Sequence, residues 1–141
     1  MNPAAQSWML LAGRLLMAAL FIVAGVRKAL AFSASAAYMT KNGMPVADVL
    51  LVVALIIEIG GGLLLILGWK TRIVATALFV FVVVLTPIFH AYWTFEPPQM
   101  VAQLNNFLKN LGIMGGLLYM MVFGAGALSL DEGKPAAPRP A

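Results

Sequence analysis

Long apolar runs separated by short polar breaks dominate the chain. The runs cover residues 7–32, 46–68, 71–93 and 98–128, and each is long enough to cross a bilayer, which takes a helix of about 20 residues. The breaks carry turn and interface residues, such as Asn42-Gly43 after the first run and Trp69-Lys70 after the second. The pattern predicts an all-α membrane protein, a bundle of four transmembrane helices with both termini on the same side.

The polar breaks differ in length, and the differences predict how the helices connect. Residues 33–44 are small and polar, and we expect them to form a link, with Pro45 opening the next helix. The break before residue 71 is so short that the second and third spans should form an antiparallel hairpin. Pro87 should kink the third span just before His90. Residues 132–141 are rich in Pro and Ala and are predicted to be a disordered tail, which leaves 1–131 as a single domain.

Composition places the chain in a membrane and excludes several functions. It is 62% hydrophobic and 10% charged, whereas soluble domains are about 25% charged. The net charge of +4 comes from scattered cations, which excludes a nucleic-acid interface; the cations suit membrane flanks. Their distribution weakly favours cytoplasmic termini. The chain has no cysteine, so disulfide, thiol and iron–sulfur chemistry are excluded, and its single histidine predicts no metal site.

Five ionisable residues inside the apolar runs are the candidates for function: Arg14, Lys28, Glu58, His90 and Lys109. A charge at mid-membrane costs roughly 2.5–3.5 kcal/mol on insertion scales, so Glu58 needs a partner. Counting ~1.5 Å per residue puts Glu58 roughly 14–16 Å and Arg14 about 10 Å from the side that holds the termini. The same count puts His90 and Lys109 on the order of 12–14 Å from Glu58 in depth. The counting therefore predicts an Arg14–Glu58 pair.

One face of the first span contributes to two predicted layers of charge, the first at Arg14 and the second at Lys28. Its residues are spaced by four, three, four and three positions, which is one helix face, and we expect this face to line the bundle interior. The face comprises Arg14, Ala18, Phe21, Gly25 and Lys28.

The second layer is predicted near the opposite membrane surface, where Lys28, His90 and Lys109 would form a cationic pocket with Tyr92 and Trp93 at its mouth. Such a pocket suits an anion or a polarisable carbonyl headgroup such as a quinone. Plainer interpretations stay open. The Arg14–Glu58 pair would then be only a structural clasp, both lysines would reach to the lipid headgroups, and His90 would hydrogen-bond at the interface.

The order and spacing of five stretches resemble the DoxX family from about Trp8 to Asp131. The stretches are RLLMAALFIVAGVRKAL (14–30), EIGGGLLLILGWKTR (58–72), FH (89–90), NNFLKNLGIMGGLL (105–118) and GALSLD (126–131). The resemblance implies a four-helix protein of the bacterial inner membrane. It also implies a link to redox complexes, since the family takes its name from small membrane subunits of thiosulfate:quinone oxidoreductase. By position, the five ionisable residues match the family's recurrent polar sites.

These observations lead to three hypotheses for function. The first is an integral membrane subunit of a quinone-linked oxidoreductase or redox complex, with quinone as the cofactor held by Arg14, Lys28, Glu58, His90, Trp93 and Lys109. The chain shows no self-contained catalytic constellation, so a protein partner would supply the redox centre. The second is a non-enzymatic scaffold or assembly factor whose Gly112/Gly116 pair admits a partner helix or a second copy of the chain. The third is a small transporter that works as an oligomer.

Overall fold

The structure, a computed structural model, describes residues 2–133 and is built from helices. Six α-helices follow in chain order: α1 (Pro3–Leu30), α2 (Phe32–Lys41), α3 (Ala47–Leu55), α4 (Gly61–Leu67), α5 (Thr71–Phe89) and α6 (Gln99–Phe123). A π-helical segment, Ile56–Gly60, joins α3 to α4, so that Ala47–Leu67 is one continuous helix. Short 3₁₀ turns lie at Tyr92–Thr94 and Leu130–Gly133. The predicted disordered tail lies, from residue 134 onward, outside the described residues.

Four of these helical stretches are long and apolar enough to cross a membrane, as the sequence predicts. They are Pro3–Leu30, Ala47–Leu67, Thr71–Thr94 and Gln99–Phe123. Their outward faces carry large apolar side chains, such as Leu16 at 75% exposed and Val122 at 67% exposed. In water such a surface would be unfavourable, whereas in lipid it meets a solvent of its own polarity. The all-α class and the four spans are thus confirmed, and the side of the membrane that holds the termini stays a prediction.

Close packing between α1 and the α3–α4 helix depends on two glycines. A Cβ at Gly25 would lie 2.7 Å from Ile59 Cγ1, and a Cβ at Gly62 would lie 2.5 Å from Ile22 Cγ1. Helices in lipid gain little from the hydrophobic effect when they associate, so close approach through small residues provides much of the packing energy. These contacts fix the antiparallel register of the two helices. Helices α5 and α6 pack along their lengths, whereas α1 and α6 barely touch.

The interior divides into two apolar clusters. The larger one joins α1, α4, α5 and α6 around side chains that are almost fully buried, among them Ala18, Phe21, Leu65, Leu78 and Leu117. The smaller one joins α2 to α3 through Ala36, Met39, Ala47 and Leu51. The buried residues of α1 are Arg14, Ala18, Phe21 and Gly25, which confirms that the predicted face of the first span points into the bundle.

Two connecting segments differ from the sequence-based expectation. Residues 33–44 were expected to be a link, but most of them form α2, whose Tyr38 ring stacks on Phe89 with centroids 5.6 Å apart. The fourth span was expected to reach residue 128, but α6 ends at Phe123. Gly124 adopts a φ of 73°, which side chains disfavour, so the chain leaves the helix there and turns back over the end of the bundle.

Candidate functional site

An ion pair between Lys28 and Glu58 lies inside the bundle. Lys28 comes from the last turn of α1 and Glu58 from the π-helical segment, and Lys28 Nζ lies 2.5 Å from Glu58 Oε1. Gly25, one turn before Lys28, allows α1 to approach Glu58 closely because a Cβ there would lie 3.3 Å from the Glu58 Cβ. Glu58 is 4% exposed, whereas the Lys28 side chain is 37% exposed. A buried carboxylate is thus paired with a cation that reaches toward the surface.

The predicted Arg14–Glu58 pair is wrong. Arg14 is buried, but its Nη2 donates to the backbone oxygen of Leu128 at 2.6 Å, and its guanidinium lies beside Gly68. Asp131 supplies the nearby negative charge. The register explains the error, because Gly62 faces Ala18 and Ile22 and so places Arg14 level with Gly68. Gly68 follows Glu58 by ten residues, about 15 Å along a helix at ~1.5 Å per residue.

Arg14 belongs instead to a structural latch, formed by the C-terminal segment 124–133 where it crosses the end of the bundle. Asp131 accepts hydrogen bonds from the backbone N–H groups of Lys70 (2.7 Å) and Thr71 (2.9 Å) at the start of α5. The Asp131 N–H in turn donates to the Gly68 oxygen at 3.0 Å. A carboxylate at this position caps the helix and complements its dipole. These contacts give a structural role to two of the stretches that resemble the DoxX family, WKTR (69–72) and GALSLD (126–131).

A cavity of about 660 Å³ opens beside the Lys28–Glu58 pair. Its walls are mostly apolar and aromatic, with Tyr38, Phe81 and Phe89 among them. Its ionisable lining residues are Arg27, Lys28, Glu58, His90 and Lys109. The predicted layer of Lys28, His90 and Lys109 is therefore brought together by the structure, and Glu58, which depth counting had separated from it, belongs to the same site. Cavities of this size and character are typical of small-molecule sites.

Glu58 brings an unsatisfied acceptor to this cavity. Within the described residues, Glu58 Oε2 is buried and has no hydrogen-bond partner, while Oε1 is held by Lys28. A buried oxygen left without a donor costs roughly 1–3 kcal/mol, more when it is charged. A ligand or water that donates a hydrogen bond there would recover this cost. The site thus has room for a molecule with a polar group directed at Glu58.

His90, which follows α5, and Lys109, on α6, add hydrogen-bonding groups to the cavity lining. His90 Nδ1 lies 2.8 Å from Gln103 Oε1. In the neutral tautomer with its proton on Nδ1, the ring donates to this amide oxygen and its Nε2 can accept a hydrogen bond. Lys109 Nζ donates to Asn106 Oδ1 at 3.2 Å on the exposed side of α6. A flexible lysine in this position can turn from the surface toward a bound group.

Asn110, next to Lys109, ties α6 to α5 under the cavity. Its side-chain nitrogen donates to the Thr86 hydroxyl at 3.0 Å, and that hydroxyl donates to the Val82 oxygen at 2.6 Å. Thr86 is 2% exposed, so this chain of hydrogen bonds is shielded from water and should hold the two helices in a fixed register.

Trp93 does not lie among the described residues that line the cavity. It is 58% exposed and packs edge to face against Tyr92 and Phe107, with ring centroids 5.1 and 6.1 Å away. Arg14, at the other end of α1, is also outside the lining. Two of the six residues predicted to hold a headgroup are therefore away from the cavity, and four surround it.

Two further contributors to the site, α2 and the π-helical turn, carry little signal in the sequence. Tyr38 and Ser35 come from α2, which was not expected to be a helix, although its Ala-rich stretch before Asn42-Gly43 is compatible with one. The π-helical turn around Glu58 has no sequence signal that we recognise. Single π-helical turns inside longer helices are often found at functional sites.

Among residues 2–133, no group of three or more His, Cys, Asp or Glu side chains is arranged to hold a metal ion.

Comparison with known proteins places the chain among membrane proteins. It is 33% identical to the inner membrane protein YphA of Escherichia coli over 92% of both chains. It is 35% identical to the inner membrane protein YqjF of the same organism, over 86% of this chain and 88% of YqjF. A more distant similarity, 28% identity over 94% of this chain and 36% of the relative, links it to the ER-derived vesicles protein ERV29 of Saccharomyces cerevisiae. No solved structure matches the chain.

The model of one protein family matches residues 9–91, which contain most of α1, all of α2 to α5 and, with them, Lys28, Glu58 and His90. The description of that family is DoxX. This match covers more than half of the chain and agrees with the similarity to YphA and YqjF along almost all of it. The chain therefore belongs to the DoxX family.

Proposed function

We propose that the cavity holds the headgroup of a quinone-class molecule, and that the protein is a membrane subunit of a quinone-linked oxidoreductase or redox complex. The inner-membrane relatives support a location in the bacterial inner membrane. The observation that carries the proposal is the buried Glu58 Oε2, without a partner in the described chain, in an otherwise apolar cavity.

The residues around the cavity fit both sides of such a headgroup. Arg27 and Lys109 provide N–H donors for carbonyl oxygens, and Glu58 Oε2 and His90 Nε2 provide acceptors for hydroxyl groups. Phe81 and Phe89 provide flat apolar surfaces for a ring. A bound quinone would supply two-electron, two-proton redox chemistry.

Binding of ubiquinone-1 to the purified protein in lipid nanodiscs tests the proposal. The wild type should bind it, and His90→Ala and Lys109→Gln should each weaken binding roughly tenfold, the size of one hydrogen bond to a charged or strongly polar group. Lys41→Gln, which removes an exposed cation at the end of α2, is the matched control and should bind like the wild type. Absence of binding by the wild type, or two cavity variants that bind as tightly as Lys41→Gln, would show that the proposal is wrong.

A second function, a scaffold that admits a partner helix, is favoured by one observation. A Cβ at Gly112 or Gly115 on α6 would meet no described atom within 4 Å, so this side of α6 leaves space for another chain. Native-membrane purification with mass spectrometry tests this function. A partner that is retained by the wild type and by His90→Ala, but lost from Gly115→Leu, would support a scaffold. Purification of the wild type without a stoichiometric partner would oppose it.

A further inference from the structure

A second opening, of about 560 Å³, lies between α1 and α6. Its walls are mostly apolar, and include Gly13, Leu16 and Met17 from α1 and Gly112, Gly116 and Tyr119 from α6. The charged residues in its lining are Arg14 and Lys109. The gap exists because the two helices barely touch along this seam. We call this opening the α1–α6 groove.

The groove is continuous with the cavity that holds Glu58. Three residues, Leu20, Lys109 and Ile113, line both spaces. At the junction, Leu20 is 38% exposed and Val23, which lines the cavity, is 56% exposed, so the cavity opens sideways onto the lipid-facing surface. The molecule therefore presents one long space in which most of the charged and titratable residues lie at the cavity end.

From this continuity we infer that the α1–α6 groove holds the isoprenoid tail of the molecule whose headgroup occupies the cavity. This inference rests on the proposed function and adds a subsite for the tail. Between Lys109 and Phe123, α6 rises ~1.5 Å per residue, so the groove wall is about 21 Å long, enough for about four isoprene units. The mostly apolar walls of the groove suit a tail, and its Lys109 end coincides with the headgroup position.

Glycines on both walls leave the space for the tail. Within the described chain, a Cβ at Gly13 or at Gly112 would meet nothing within 4 Å. Both residues line the groove. Gly116 differs, because a Cβ there would lie 2.6 Å from Met17 Cε and so it serves the contact between α1 and α6. A large side chain at Gly13 or Gly112 would therefore fill the groove without disturbing the packing of the bundle.

The tail gains little from the hydrophobic effect, since it moves from lipid into an apolar groove. Its contribution comes from close van der Waals contact with fixed walls and from displacement of disordered lipid. The expected gain is therefore modest. With ligand concentration measured in the membrane phase, ubiquinone-4 should bind the wild type roughly fivefold more tightly than ubiquinone-1.

The experiment compares these two ligands on the wild type, Gly112→Leu, Gly13→Leu and the control Gly115→Leu in nanodiscs. Gly115 lies on α6 outside the described lining of the groove, and a Cβ there also meets no described atom. Filling the groove from either wall should abolish the advantage of the longer tail and leave ubiquinone-1 binding unchanged. Gly115→Leu should keep the advantage.

The outcomes separate the two proposals. If ubiquinone-1 does not bind the wild type, the proposed headgroup site is wrong. If ubiquinone-1 binds but ubiquinone-4 binds no more tightly, the headgroup site stands and the tail subsite is wrong. The subsite is also wrong if Gly112→Leu and Gly13→Leu both retain the advantage, which would mean that the tail leaves the cavity directly into the bilayer. Two variants on opposite walls keep the test valid if one of them fails to fold.

Discussion

Removing Lys28 and removing Glu58 should lower the free energy of unfolding by unequal amounts. Glu58 is 4% exposed, whereas the Lys28 side chain is 37% exposed and can turn toward the surface when its partner is removed. Lys28→Met leaves a buried carboxylate without its cation, whereas Glu58→Gln leaves a lysine with access to the headgroup region. Loss of one partner of a fully buried pair costs about 3–5 kcal/mol and loss of an exposed pair about 0–1 kcal/mol.

The Lys28–Glu58 pair is neither fully buried nor fully exposed, so the destabilisation on losing one partner should lie between these limits and be set by the burial of the partner that remains. We expect Lys28→Met to lower the free energy of unfolding by about 2–3 kcal/mol and Glu58→Gln by about 1–2 kcal/mol. The double variant should be less destabilised than the sum of the two, with a coupling of about 1–2 kcal/mol. Reversible unfolding of the protein in mixed lipid–detergent micelles, followed by helicity against the mole fraction of sodium dodecyl sulfate, measures these values.

A second double-mutant cycle, with Arg14→Met and Glu58→Gln, serves as the control. The structure gives Arg14 and Glu58 separate partners about 15 Å apart along the helix, at ~1.5 Å per residue. Their effects should therefore add to within about 0.5 kcal/mol. A coupling between Arg14 and Glu58 larger than that between Lys28 and Glu58 would refute the helix register and restore the pairing that depth counting predicted.

Two further predictions concern packing and capping. Asp131→Asn weakens the hydrogen bonds to the N–H groups of Lys70 and Thr71, so it should lower the free energy of unfolding by about 1 kcal/mol, measured in the same micelles. A value unchanged from wild type would mean that the latch adds no stability. Gly62→Ala should lower the free energy of unfolding by about 1–3 kcal/mol because its Cβ would lie 3.2 Å from the Ala18 backbone oxygen. Gly60→Ala, whose Cβ would meet no described atom within 4 Å, should leave that free energy unchanged or raise it by up to about 1 kcal/mol. Equal effects of the two changes would contradict the packing.

The pattern of apolar and polar residues was enough to predict the architecture. Membrane spans are long and uniform, so the positions of four helices follow from hydropathy alone. Helical spacing also predicted which face of α1 is buried, from Arg14 to Gly25, because a charged or small residue every three or four positions is unusual in a lipid-facing helix. The grouping of Lys28, His90 and Lys109 near one end of the bundle followed from the same counting.

The partner of Glu58 could not be predicted in this way. Depth counting measures each residue only from an assumed span boundary, so it carries no information on which residues of two neighbouring helices meet. More importantly, the relative shift of two antiparallel helices depends on which glycines admit the neighbouring helix. Gly25 and Gly62 set that shift here, but the sequence also contains Gly60 and Gly61 nearby, and nothing local distinguishes the ones that make contact.

The C-terminal latch and α2 were missed for a related reason. Both are short segments whose structure depends on tertiary contacts rather than on their own pattern. Asp131 is the last residue of the predicted domain, yet it caps a helix that begins sixty residues earlier in the chain. Helix α2 has only ten residues, a length that is marginal without packing, and its contacts with α3 and Phe89 stabilise it.

Mapping where a quinone binds tests most directly whether the cavity beside Glu58 holds the headgroup. A photoreactive azido-quinone, cross-linked to the wild-type protein in nanodiscs and located by mass spectrometry of peptides, reports the position of the ring. Labels are expected on the cavity walls, in the stretches around Lys28, Tyr38 and Lys109, and they should be lost in the presence of excess ubiquinone-1. Labels concentrated around Arg14 and Trp69 at the other end of the bundle, or labels that ubiquinone-1 does not displace, would contradict this position of the headgroup.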